Sequence, residues 1–191
     1  MVGKTSSCSA ASPRKYLLGR RAVPAALLVM ATACLFASPV SATTTLTKTI
    51  AFSGHYSGVA SLIISGNSAK ILSIKGTGTG TLVGASSVAG SGSSAASEPC
   101  EPFAGTGSIT GVGSRITLTV VKSASQGCSS APSGPATITF NGVAKATGGT
   151  GKTKGATGSL KFSGSLKLAG TSGPQSGPFK ATVSGKLTVA V

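Results

Sequence analysis

Gly158-Ser-Leu-Lys-Phe-Ser-Gly-Ser-Leu-Lys-Leu-Ala169 alternates apolar and polar side chains almost without a break. Leu160, Phe162, Leu166 and Leu168 share one parity, and Lys161, Ser163, Ser165 and Lys167 share the other. Successive side chains of a strand point to opposite faces, so this run buries one face and wets the other. Outward from it, the same period recurs in Ile116, Leu118 and Val120 against Thr117 and Thr119, and in Ile138 with Phe140. Leu46, Ile50 and Phe52 repeat it, with Lys48 as the one polar residue on their parity. Nothing after residue 42 carries a helical stripe.

Gly, Ser, Asn and Pro punctuate these runs. Ser65-Gly66-Asn67-Ser68 predicts a hairpin turn between Val59–Ile64 and Lys70–Lys75, because Gly and Asn tolerate positive φ. Gly148-Gly149-Thr150-Gly151-Lys152 predicts another, and Ser129–Pro135 and Thr171–Pro178 read as longer loops. Residues 84–97, almost all Ala, Ser and Gly, read as an edge strand or a mobile loop. The runs predict roughly eight to ten strands in an all-β domain. An antiparallel barrel of about eight strands is expected, with a β-sandwich as the alternative. Glycines inside the strands suit the sharp coiling that barrel closure needs.

The first 42 residues read as a secretory signal. Lys4, Arg14, Lys15, Arg20 and Arg21 form a basic stretch without acids, followed by an apolar run from Ala22 to Ala37. Val40 and Ala42 satisfy the small-residue rule for cleavage, which predicts a secreted domain over residues 43–191. The apolar run is shorter than the roughly 20 residues of a spanning helix. Arg20-Arg21 does not continue into the usual twin-arginine pattern, and Ala31-Thr32-Ala33-Cys34 is a poor lipid-attachment motif. No later apolar run is long enough to hold the domain in a bilayer as a helix.

Composition closes off most catalysis. The chain contains no Asp; past residue 42 its only acids are Glu98 and Glu101, and its only histidine is His55. Carboxylates and histidines supply most general acid–base groups and metal ligands, so no catalytic residue, metal or cofactor is expected. Two carboxylates flanking a bond can hydrolyse a glycoside. Glu98 and Glu101, however, are three residues apart in one Pro-bounded loop, which suits surface salt bridges to lysine better. His55 has no Asp or thiolate partner nearby in sequence and reads as a surface histidine. Cys100 and Cys128 form an even pair in an exported domain, at the outer ends of a hairpin whose turn falls at Gly111–Ser114. A disulfide is the default expectation there.

Of the 17 basic residues, 12 lie past residue 42, and 11 of those are Lys. Such an excess attracts polyanions at long range, and it also keeps sheet edges from pairing with other molecules. Lys161 and Lys167 project from the wet face of one strand, and Lys152 and Lys154 lie in the turn feeding it. These four are the candidate polyanion-binding residues. Aromatic residues are too few for sequence-specific nucleic-acid recognition by stacking.

Thr147-Gly148-Gly149-Thr150-Gly151-Lys152-Thr153-Lys154-Gly155-Ala156-Thr157-Gly158 resembles a phrase of allene-oxide-cyclase-like and dirigent-type β-barrels. There a Gly-Gly-Thr-Gly turn is followed by Gly-Ala-x-Gly entering a strand. The mature chain is also similar to small secreted bacterial proteins of unknown function. The resemblance implies an eight-stranded antiparallel barrel with a central cavity, often oligomeric. Dirigent-type sites rely on acidic residues in that cavity, and a chain without Asp does not carry that activity over. Two functional classes follow: a non-catalytic extracellular protein binding polyanions or surface polymers through lysines, and a barrel binding a small apolar ligand inside.

Overall fold

The computed structural model describes residues 45–191; the signal segment, with Cys34, lies outside the described residues. Nine strands follow one another: β1 (Thr47–Ser65), β2 (Ser68–Gly80), β3 (Gly84–Ala95), β4 (Cys100–Gly111), β5 (Ser114–Val120), β6 (Gln126–Ser129), β7 (Ala136–Thr150), β8 (Thr157–Leu168) and β9 (Gly173–Ala190). Every pairing is antiparallel, in the order β3-β2-β1-β9-β8-β7-β5-β4, and β3 pairs with β4 to close the ring. The barrel is therefore closed, and the sandwich alternative is excluded. β6 lies between β4 and β7, as β5 does, and continues the same strand. A 3-10 turn at Lys122–Ala124 separates the two. Nine strands thus fill eight positions.

The alternation of the sequence becomes inside and outside. Phe52, Tyr56, Ala60 and Leu62 of β1 are buried, while His55, Ser57 and Val59 between them are exposed. On β8, Leu160, Leu166 and Leu168 are buried and Lys161 and Lys167 exposed. Lys48, the polar residue on the apolar parity, stands exposed near the start of β1. The turn at Gly66-Asn67 joins β1 to β2 with Ser65 paired to Ser68, and Gly66 takes the left-handed φ of 53° that a two-residue hairpin turn requires.

Three expectations need correction. Thr171–Pro178 is not a loop throughout: residues 173–178 open β9 and pair with residues 59–64 of β1. Residues 84–95 form neither an edge strand nor a loop: β3 is paired on both sides, to β2 and β4. Gly148, Gly149 and Thr150 belong to the end of β7, paired with Thr117, Ile116 and Arg115 of β5. The turn itself begins at Gly151, where a 3-10 segment, Gly151–Thr153, leads toward β8. Sequence spacing put that turn too early because glycine marks a turn and a tightly curved strand equally well.

The two ends of the barrel differ. At one end lie the connections 81–83, 112–113 and 151–156, and beneath them pack Phe52, Val83, Ile109, Ile116, Leu160 and Leu187, all buried. Each such side chain contributes about 1.5–3 kcal/mol by leaving water. Buried Thr153 seals this end, its one hydroxyl hydrogen shared between the carbonyls of Arg115 at 2.7 Å and Thr150 at 2.8 Å. A Cβ at Gly149 would strike the backbone carbonyl of Thr153. The Gly-Gly-Thr-Gly phrase is thus the plug of the closed end. At the other end, the loops 66–67, 96–99, 130–135 and 169–172 surround an opening.

Candidate functional site

Between the plug and those loops the barrel is hollow. The cavity measures about 780 Å3. Its walls are Leu62, Ile71, Ile74, Phe140, Leu166 and Phe179, among other inward side chains, and all four loops at the open end contribute to its rim. No Lys, Arg or His among the described residues lines it. Among the described residues, no buried side-chain nitrogen or oxygen lacks a hydrogen-bond partner. The walls therefore offer mainly apolar contact, with Glu98 and Glu101 near the mouth.

The aromatic residues divide between the two ends. Phe52 and Tyr56 belong to the packed end. There the Tyr56 hydroxyl meets Ser86 Oγ at 3.2 Å, and Ser86 in turn donates to the Gly84 carbonyl. Burial pushes the Tyr56 phenol above its ordinary pKa, against a smaller opposing effect of the Ser86 bond. Phe103, Phe140, Phe162 and Phe179 line the cavity instead. Phe162 lies 5.9 Å from Phe103 and 6.4 Å from Phe140 between ring centroids, with both pairs tilted. The sequence pattern placed Phe140 and Phe162 on an inward parity, but a hollow cannot be seen in a pattern that says only "inside".

The rim is held by covalent and hydrogen bonds. Cys100 and Cys128 are bonded, as expected, and sit directly opposite each other on β4 and β6 with Cα atoms 4.0 Å apart. Ser129 N–H donates to the Pro99 carbonyl, Ala96 N–H to the Asn67 carbonyl, and the Thr171 hydroxyl to the Pro132 carbonyl. Glu101 stands beside the bridge. Its Oε1 accepts from the Ser97 hydroxyl at 2.6 Å and from the backbone N–H groups of Glu98 at 3.0 Å and Ser97 at 3.2 Å. The Ser97 hydroxyl bond, aided by the two amides and the positive field of Lys122, holds this carboxyl below the ordinary glutamate range despite some desolvation. The sequence reading gave both acids to lysine. The structure spends Glu101 on the loop that precedes it and leaves Glu98 exposed at the mouth.

His55 is exposed on the outer face of β1, opposite Thr79 and Thr182 on the flanking strands. Among the described residues, no three His, Cys, Asp or Glu side chains gather to hold a metal.

The four candidate lysines all lie on the outside. Lys152 and Lys154 are exposed in the connection at the closed end, Lys161 midway along β8, and Lys167 near the open rim. Six residues of strand put Lys161 and Lys167 about 20 Å apart. They mark one side of the barrel from end to end, more as a row than as a cluster. Lys145 and Lys186, which the sequence reading missed, flank Ser159 of β8 from β7 and β9. Only the strand register brings them there. Lys161 also edges a shallow outer groove of about 360 Å3 with Asn141, Ser163, Thr182 and Ser184.

Set against known proteins, the chain matches no family model, no curated protein and no solved structure.

Proposed function

We propose that this is an exported, non-catalytic barrel that takes one small apolar molecule into its open end. The observation that carries this reading is the cavity of about 780 Å3, with apolar walls and a mouth among four loops. Pockets that bury drug-sized molecules span roughly 300–1,000 Å3. An uncharged body is favoured because a charge moved into such walls would lose its hydration without a partner. The absence of catalysis rests on the chain's own chemistry: it has no Asp, its histidine faces outward, and Glu101 is occupied by its loop. No cofactor is part of this reading.

Export rests on the signal segment, and the disulfide is compatible with an oxidising compartment. Among the described residues, no helix is long and apolar enough to cross a membrane. The outer faces of β8 and β9 carry Ser, Thr and Lys, whereas a membrane barrel turns its apolar side chains outward. This favours a barrel surrounded by water.

The test is a fluorescence titration with the neutral apolar dye N-phenyl-1-naphthylamine from low to high salt. Saturable, salt-independent binding that is lost in Gly127→Leu is expected. Gly127 lines the cavity, and a Cβ there meets only Ile138 at 3.6 Å and Phe103 at 3.9 Å, so a larger side chain fills the hollow without striking the backbone. Failure of the dye to bind, or binding indifferent to that substitution, refutes the cavity reading.

Polyanion binding through Lys152, Lys154, Lys161 and Lys167 is the second reading, favoured by the outer groove beside Lys161. It would weaken with salt by about one unit of log K per unit of log salt for each phosphate contact. Titration with polyphosphate, repeated with all four lysines replaced by Gln, distinguishes it from cavity binding.

A further inference from the structure

Of the six large apolar side chains exposed among the described residues, Val112 sits in a turn, and Leu46 and Val191 lie just outside β1 and β9. The other three, Val59, Ile63 and Leu72, stand within neighbouring strands, 50%, 38% and 48% exposed. Register gathers them. Val59 and Ile63 point outward from β1, and the exposed prolines Pro178 and Pro174 of β9 lie directly opposite them. On β2, Ile71 pairs with Leu62 and Ser73 with Ser61, so Leu72 is the extra residue of a bulge. A bulge re-aims side chains. Ile71 lines the cavity, whereas Leu72 beside it is exposed and takes no part in the cavity wall. Lys70 and Lys75 pair with Ile63 and Val59 from the β2 side, and Lys180 pairs with Ser57 from the β9 side. The result is an aliphatic patch edged by three exposed lysines, on a barrel whose outer face is otherwise mostly Ser, Thr, Ala and Lys.

We propose that this patch docks the barrel on a bilayer carrying anionic lipids. The inference goes beyond the cavity reading and stands on the outer face alone. Aliphatic side chains enter the headgroup boundary, while flanking lysines bury their stems and extend their ammonium groups to lipid phosphates. Charge selects this occupant. A second copy on a two-fold axis would bring Lys70, Lys75 and Lys180 against the same three lysines, with no acid in the patch to answer them. Protein interfaces concentrate aromatic and arginine side chains and shed lysine; this patch has the reverse composition. Position agrees with a lipid surface as well. Ile63 and Pro174 lie at the open end, close to the loops 66–67 and 169–172 that rim the mouth. Docking there sets the mouth beside the phase in which apolar molecules dissolve.

The experiment is co-sedimentation of the disulfide-bonded protein with vesicles of phosphatidylcholine, alone or mixed equally with phosphatidylglycerol. Binding to the mixed vesicles, about tenfold or more above the neutral ones and weakened by salt, is expected. Val59→Ser, Ile63→Ser and Leu72→Ser together should reduce it by about tenfold or more. Lys70→Gln with Lys75→Gln should reduce it about fivefold per lysine. Lys145→Gln with Lys186→Gln, in the closed half, should do far less. Thermal unfolding checks that each variant folds. Since Val59, Ile63 and Leu72 do not line the cavity, the dye titration should be unchanged in the Ser variant, which separates docking from cavity binding. Absence of binding to the mixed vesicles overturns the proposal and leaves the patch to a protein partner. Undiminished binding by the Ser variant, or equal losses from the two lysine pairs, overturns it too, because net charge then suffices. So does a dimer in sedimentation equilibrium that the Ser variant dissolves, which assigns the patch to a second copy.

Discussion

Ser125 shows how one side chain replaces a missing stretch of sheet. Where the 3-10 turn interrupts the β5–β6 strand, its hydroxyl accepts from Val143 N–H at 3.2 Å and lies within reach of the Val143 carbonyl at 3.4 Å. Ser125→Ala leaves the Val143 N–H without that partner, and we expect a loss of about 1–3 kcal/mol in denaturant unfolding. Glu101 acts similarly on the 96–99 loop. Its folded pKa is lowered, so its stabilising effect is fully present above the ordinary glutamate value and is lost as the pH falls through the lowered one. Amide exchange at Ser97 and Glu98, corrected for intrinsic pH dependence, should therefore rise in acid. In Glu101→Gln that acid-dependent step should be absent. Neither role was legible in the sequence. Ser125 sits among many serines, and Glu101 looked like a lysine partner until the loop folded back onto it.

At the scale of elements, the β4–β5 hairpin and its bridge were legible because both rest on local geometry. Antiparallel register carries the outer ends of a hairpin to the same place, and Cys100 and Cys128 lie 28 residues apart at those ends. Replacing both by Ser should cost about 3–4 kcal/mol in the chain-entropy picture of cross-linking. Exchange should then quicken first in the rim segments 96–104 and 126–135, with the closed end unaffected. The lysine row belongs to this scale as well. If polyphosphate binds, Lys161→Gln with Lys167→Gln should reduce the salt slope by about one unit per lysine. An unchanged slope would assign the row to solubility. Lys145 and Lys186 escaped sequence reading because the register of three strands, not their own neighbours, puts them beside β8.

For the whole molecule, the division into a packed end and a hollow end sets where stability resides. Leu160→Ala in the packed end should cost about 2–5 kcal/mol, since a new void opens among close-packed neighbours. Phe103→Ala at the mouth should cost far less, because its ring already faces the cavity; thermal unfolding of the two variants measures the contrast. The all-β class, the parity of β1, β5, β7 and β8, the disulfide and the scarcity of catalytic groups were determined by the sequence itself. Each follows from side-chain period, residue type or spacing along the chain, which are local quantities. Closure, through the pairing of β3 with β4, was decided only in three dimensions, as was the hollow. The reason is physical: alternation says which side chains point inward, whereas the space left between them depends on how eight strand positions curve around a common axis.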